Sequence, residues 1–297
     1  MLHNFTFTKQ KELTSHVTLA TNSQGLSYLL INNEHAEAAV ALFGAHLLHY
    51  QAHGKQPLLW MSHTTAQDGI KPFRGGVPVC WPWFGPSPAD VGLGKPAHGF
   101  ARIMEWQVEG ISELTEGTLI HLALESSAET LALWPHAFRL EFELLIGKEL
   151  TMSLTTENTG DSALQYRSAL HTYFNTLNPE AVKISGLGTS YIDKLANAEV
   201  KTQSGDYLLT GAVDSIYTAP EKTVTFTNGY DTVQMENGNA NSVVIWNPWE
   251  KGAANMADFD SDRWPTMICI ETALTGDGVI VEAGEEHTLS ATLRYLA

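Results

Sequence analysis

The chain has 297 residues, with 17 Lys and Arg against 33 Asp and Glu, and a formal net charge of -16. Such acidity repels nucleic acid and anionic membranes, which excludes both as expected partners, yet it leaves room for a small anion in a local basic pocket. Hydrophobic content of 43% predicts a sizeable core, and the two cysteines, Cys80 and Cys269, are too few for a disulfide framework, so a reducing cytoplasm is the expected compartment.

In chain order, the opening MLHNFTFTKQKELTSHVTLATN lacks the unbroken apolar stretch of a signal peptide, and no later run is long enough to span a bilayer. SHVTLATN and LSYLLIN read as short strands. In HLLH, His46 and His49 lie three apart, a spacing that suits a helix face, with no third ligand at metal spacing. GTLIHLALES is a further strand candidate, and SSAETLALW is the best helical segment, one or two turns stopped by Pro135. From residue 138, Phe138, Leu140, Phe142 and Leu144 alternate with polar residues; after Gly147-Lys148, Leu150, Met152 and Leu154 do the same. This is a hairpin with one buried face. The terminal HTLSATLRYLA repeats the pattern through Leu289, Ala291, Leu293 and Tyr295. No linker, repeat or low-complexity tract divides the chain. The prediction is an all-β fold, a large antiparallel β-sandwich with few short helices, in a single domain over residues 1–297.

Two segments carry candidate chemistry. In MICIETA, alternation puts Met267, Cys269 and Glu271 on one side of a strand, and the lack of a solvated face directs Glu271 into a cavity. In SALHTYF, Ala169, His171 and Tyr173 share a face. A buried glutamate and a nearby histidine fit a general base and general acid, since burial raises the carboxylate's pKa. From pattern alone, a satisfied structural histidine and an edge-strand glutamate are the commoner reading. Trp246 and Trp249 in WNPWE, like Trp81 and Trp83, fit either sugar stacking or core packing. GLGTSY and VGLG lack a phosphate-loop pattern, and the serine of SGLGTS lacks a nucleophile elbow.

The stretch KPFRGGVPVCWPWFGPSPADVGLGKPAHGFAR, residues 71–102, holds Lys71, Arg74, Lys95 and Arg102 against Asp90 alone, in a chain that is otherwise strongly acidic. Taken with LWPHAFRLEF, ALHTYF, VDSIYTAP, VVIWNPW and ICIETA, its blocks FRGGVPVCWPWFG and HGFAR make the chain resemble the hexose-6-phosphate mutarotases (glucose-6-phosphate 1-epimerases), within the aldose 1-epimerase or galactose-mutarotase-like superfamily. The resemblance extends from Phe73 to Ala273. It implies a β-sandwich holding a sugar on a concave face, with no metal or organic cofactor. It also implies His171 as general acid, Glu271 as general base, Arg74 and Arg102 on the substrate's phosphate, and Asp214 and His98 as further substrate-binding residues. Ala97 stands where some members have glutamine, which leaves one sugar contact open. The implied partner is a small-molecule hexose phosphate bound by a monomer.

Paired arginines suit a phosphorylated sugar, because the planar guanidinium binds phosphate in a bidentate fashion. The glycines after Arg74 are expected to let the backbone approach the ligand. Three other readings stand beside this one. They are an aldose 1-epimerase acting on unphosphorylated sugars, a noncatalytic sugar-binding β-sandwich, and a glycoside hydrolase using Glu271 with Asp214.

Overall fold

The computed structural model describes residues 2, 4–89 and 91–296, so Asp90 falls outside the described residues. Three antiparallel sheets and two short α-helices account for most of the regular structure. The predicted hairpin forms as Phe138–Gly147 and Leu150–Asn158, in a register that pairs Leu150 with Ile146 and Asn158 with Phe138. Glu286–Leu296 then pairs with the second of these strands, setting Leu154 opposite Leu289. Because side chains alternate with period two, Phe142, Leu144, Met152, Leu154, Leu289 and Leu293 all enter one buried face. This hairpin and the terminal strand form the middle of a nine-stranded sheet.

An eight-stranded sheet packs on that face. Its centre is Met267–Val281, flanked by Ser242–Asn247 on one side and by Leu164–Leu170 and Tyr173–Asn175 on the other. Ile268, Ile270, Val243, Ile245 and Leu170 point inward and join the hairpin's side chains in one core cluster. The opposite face of this sheet is left to form the site. Two buried hydrogen bonds tie the layers together: Thr272 Oγ1 donates to Asn237 Oδ1 at 2.6 Å, and Trp81 Nε1 donates to Thr156 Oγ1 at 3.0 Å. Both satisfy polar groups that burial would otherwise penalise.

The third sheet has five strands, Thr8–Glu12 through His46–Ala52, joined in sequence order. Asn33 Nδ2 donates to the Ile146 carbonyl at 2.8 Å and Tyr50 OH to that of Gly147 at 2.9 Å, anchoring it at the end of the long hairpin. The HLLH segment is therefore strand, not helix. Leu47, Leu48 and Tyr50 are all buried, and covering both faces of a strand erases the alternation that would have revealed it. SSAETLALW does form a helix, Ala128–Leu133, with Ser127 as its cap, while a second helix, Trp249–Ala254, lies in a segment read only for its tryptophans. No helix among the described residues is long and apolar enough to cross a membrane.

The glycines after Arg74 answer to the protein's own backbone. A Cβ on Gly75 would sit 2.5 Å from the Trp60 carbonyl oxygen, and one on Gly76 would sit 2.3 Å from that of Leu47. These contacts pull the Arg74 segment against the five-stranded sheet and the strands beside it, where Gly76 N donates to the Trp60 carbonyl at 2.7 Å. Gly76 has φ +60°, and Gly25, exposed at a turn with nothing within 4 Å of its Cβ position, has φ +86°. Gly25→Ala should therefore cost only the left-handed conformation, about 1–2 kcal/mol. Gly76→Ala adds a backbone collision of the overpacking kind, a further 1–3 kcal/mol or so, and thermal denaturation of the two variants should rank them in that order.

Candidate active site

The register of the central strands builds the site. Leu170 pairs with Thr272 and Tyr173 pairs with Cys269, so His171 stands directly across from Glu271. Between the two pairings the chain tightens: Thr172 N donates to the Leu170 carbonyl at 2.8 Å, a three-residue turn centred on His171. Nε2 of His171 lies 3.3 Å from Oε1 of Glu271. Both residues are buried, at 8% and 1% exposure, and His171 Nδ1 and Glu271 Oε2 have no hydrogen-bond partner.

Cross-strand pairing extends this face in rows. Ile216 pairs with Val244 and Val244 with Glu271, while the adjoining row runs Asp214, Trp246, Cys269, Tyr173. The floor beneath the His171–Glu271 pair is thus largely apolar. Tyr173 stacks on the His171 ring at 4.8 Å with an interplanar angle of 11°, and Trp246 meets the same ring edge-on. His98 reaches the site from another segment, its ring edge-to-face with His171 at 5.7 Å. A left-handed turn delivers it: His98 has φ +61°, and the following Gly99 lies so close to Trp81 that a Cβ would fall 1.9 Å from the Trp81 carbonyl oxygen. Gly85 N donates to His98 Nδ1 at 3.3 Å, which leaves the imidazole's own proton on Nε2.

The cations differ in their pairing. Arg74 donates to the Tyr173 hydroxyl at 2.9 Å and pairs with Asp258 at 3.0 Å, so the carboxylate absent from its own stretch comes from far along the chain. Arg102, in the short 3₁₀ turn Ala101–Ile103, donates to the Ala97 carbonyl at 2.8 Å and has no carboxylate partner among the described residues. Asp214 is held by Lys194 at 3.1 Å. Sequence reasoning named Arg74, His98, Arg102, His171, Asp214 and Glu271, and all six act on this face or on the electrostatics of its central pair. Lys194 and Asp258 were missed, since nothing in a single sequence says which distant charge neutralises which.

Burial, reinforced by the Asp214 carboxylate, pushes Glu271 well above the usual carboxylate range. Burial likewise holds His171 well below its ordinary value, with His98, Arg102 and Arg74 adding to the effect. His98 is lowered to about 3, again by burial first and then by the positive charges of Arg102, Lys194 and Arg74. The close pair therefore favours states with no net charge and titrates as a unit sharing one proton.

A model of the aldose 1-epimerase family matches residues 27–294. The chain belongs to the aldose 1-epimerase family. A curated relative from Escherichia coli (strain K12), named "Putative glucose-6-phosphate 1-epimerase", is 34% identical over 281 residues, 91% of this chain and 90% of the relative. A Salmonella typhimurium relative of the same name is 36% identical over 253 residues. The crystal structure of a "putative mutarotase" from Salmonella typhimurium superposes with a TM-score of 0.90 at 30% identity, covering 97% of this chain and 96% of that one. Within this fold the buried His171–Glu271 pair is a local source of instability. A carboxyl whose folded-state pKa is raised stabilises the fold while protonated and loses that contribution as pH rises through the folded value. Glu271→Gln should therefore melt at higher temperature than the parent at neutral pH, and the gap should widen as pH climbs from the ordinary carboxylate range toward the raised one. A gain of about 1 kcal/mol would appear as roughly 2–4 °C, readable by scanning calorimetry across pH.

Proposed function

We propose that the protein interconverts the α and β anomers of a hexose 6-phosphate, glucose 6-phosphate above all, with Glu271 as general base and His171 as general acid. The observation that carries this reading is the opposed pair itself, with its 3.3 Å separation on a buried, aromatic-walled floor, together with an arginine that has no carboxylate partner among the described residues. The names of the curated relatives support it. Ring opening requires a proton to leave the C1 hydroxyl while another reaches the ring oxygen. Glu271 takes the first and His171 supplies the second; rotation about C1–C2 and closure on the other carbonyl face reverses both transfers. Each group is regenerated, so one proton held in common suffices for the cycle. Positioned groups of this kind contribute about 10²–10⁴-fold each.

The cations explain why a phosphate helps. Arg74 and Arg102 disfavour a proton on His171 in the free protein. A bound dianion offsets their field and lets the imidazole take up the proton that the acid role needs. Asp214 and His98 then serve as sugar-orienting groups, His98 presenting its Nε2 proton. Ala97 offers Arg102 only its backbone carbonyl, so no side chain there competes with the substrate for the guanidinium. On this reading the chain works as one domain in a reducing compartment, in keeping with its two free buried cysteines.

His171→Asn and Glu271→Gln should each lower kcat by about 10²–10⁴-fold in anomer-exchange NMR with the fold intact, and the double variant should be little worse than the poorer single. Near-normal exchange in either single variant would remove that residue from the mechanism. Arg102→Ala should lower kcat/KM for glucose 6-phosphate roughly tenfold to a hundredfold, with little change on glucose, since hydrogen bonds to charged groups contribute about 1.5–3 kcal/mol. Arg74→Ala should lose activity on both sugars and melt earlier, because it also frees Asp258 and the Tyr173 hydroxyl. Equal losses on both sugars for Arg102→Ala would favour an epimerase of unphosphorylated aldoses.

A further inference from the structure

Cys269 has no part in the proton transfers, yet it lies beside both groups that do. It is fully buried, shares its strand face with Glu271 two residues on, and pairs across the ladder with Tyr173. A nitrogen of His171, the Cys269 sulfur and a carboxylate oxygen of Glu271 all lie within 4.8 Å of one another. A tetrahedral zinc ion with bonds of about 2.0–2.3 Å places its ligand atoms roughly 3.3–3.6 Å apart. The 3.3 Å between His171 and Glu271 already matches, and the sulfur needs about an ångström of movement at most. Two further atoms are free to take part, because Glu271 Oε2 and His171 Nδ1 are buried without partners, so the contact between Nε2 and Oε1 is the one that a bound cation would replace.

We propose that His171, Cys269 and Glu271 form a three-ligand site for a thiophilic divalent cation, zinc in particular, and that zinc bound there shuts off anomer exchange. The inhibitory consequence rests on the acid–base reading above; the metal site itself does not. Imidazole nitrogen, thiolate sulfur and carboxylate oxygen are zinc's usual donors. Charge balances. The free site carries a neutral thiol and a pair sharing one proton; the loaded site carries a thiolate, a carboxylate, a neutral imidazole and a dication. Both states have zero net charge, and binding releases two protons to solvent, one from the thiol and one from the pair. A buried site tolerates this exchange better than any that leaves a net charge. Binding should accordingly weaken as pH falls. The lone pairs taken by the metal are those that move protons for the sugar, so zinc and glucose 6-phosphate should exclude each other.

Titration of the wild-type protein with Co²⁺ alone should produce the thiolate-to-cobalt charge-transfer absorption, and Zn²⁺ should bleach it. Cys269→Ser and Cys269→Ala should lose that absorption; Cys80→Ala, which removes the other free thiol, should keep it. In anomer-exchange NMR, Zn²⁺ should inhibit the wild type reversibly on chelation and competitively with glucose 6-phosphate. Cys269→Ala should retain exchange and require at least about tenfold more zinc for half inhibition, the loss that even an outer-shell change brings to a metal site. Absence of the cobalt band, unchanged zinc sensitivity in Cys269→Ala, or stimulation by zinc would each overturn the proposal. A wild type that shows the band but exchanges no anomers would refute the functional reading and leave the metal site standing. Should the Cys269 variants fail to fold, the wild-type band and its suppression by glucose 6-phosphate decide the matter.

Discussion

The opposition of one imidazole and one carboxylate across a buried β-ladder is the constraint on which the rest of this structure turns. A strand pair can present two side chains at contact distance only if the pairs on either side of them keep one register, and here Leu170 with Thr272 and Tyr173 with Cys269 keep it across the turn at His171. The sandwich makes that register rigid. Ile268 and Ile270, interleaved with Cys269 and Glu271 on the same strand, are locked into the core, so the face that carries Glu271 cannot slip without exposing the buried one.

Burial determines the chemistry of the pair. In water a glutamate would be ionised and a histidine half-protonated near neutrality. On this floor, with Tyr173 stacked on one ring face and small apolar residues such as Ala169, Ala273 and Val244 nearby, neither charge is well solvated. The pair responds by favouring states without net charge, with the carboxyl's pKa raised and the imidazole's lowered. Tyr173 is itself fixed by Arg74, which is fixed in turn by Asp258, so a half-buried ion pair extends its influence to the imidazole.

Electrostatics at long and short range divide the labour. The acidic surface disfavours polyanions, while Arg102, Arg74 and Lys194 gather positive potential at one place. Two of these cations are neutralised locally, Arg74 by Asp258 and Lys194 by Asp214, which spares the site the repulsion that three close bare cations would create. Arg102 is the one of the three without a carboxylate partner among the described residues. The positive field of Arg102 and Arg74 adds to burial in discouraging protonation of His171.

The sequence by itself determined the elements whose periodicity is clean: the 138–158 hairpin, the terminal strand, the short helix after Ser127, and the faces shared by Cys269 with Glu271 and by His171 with Tyr173. These are local consequences of side chains alternating about a pleated backbone, and motif order along the chain was enough to name the family. What only the tertiary structure decided are the relations between distant segments. The strand at His46–Ala52 was hidden because both its faces are covered, and the close approach of the glycines after Arg74 to the backbones of Trp60 and Leu47 is a contact between segments distant in sequence. Lys194 and Asp258 became visible as partners of Asp214 and Arg74 only once the sheets had brought them within reach. The same holds for Cys269 as a neighbour of His171, a contact set by strand register across nearly a hundred residues of chain. Period-two alternation is written into each strand, but which strand lies beside which is settled by the burial of all of them together.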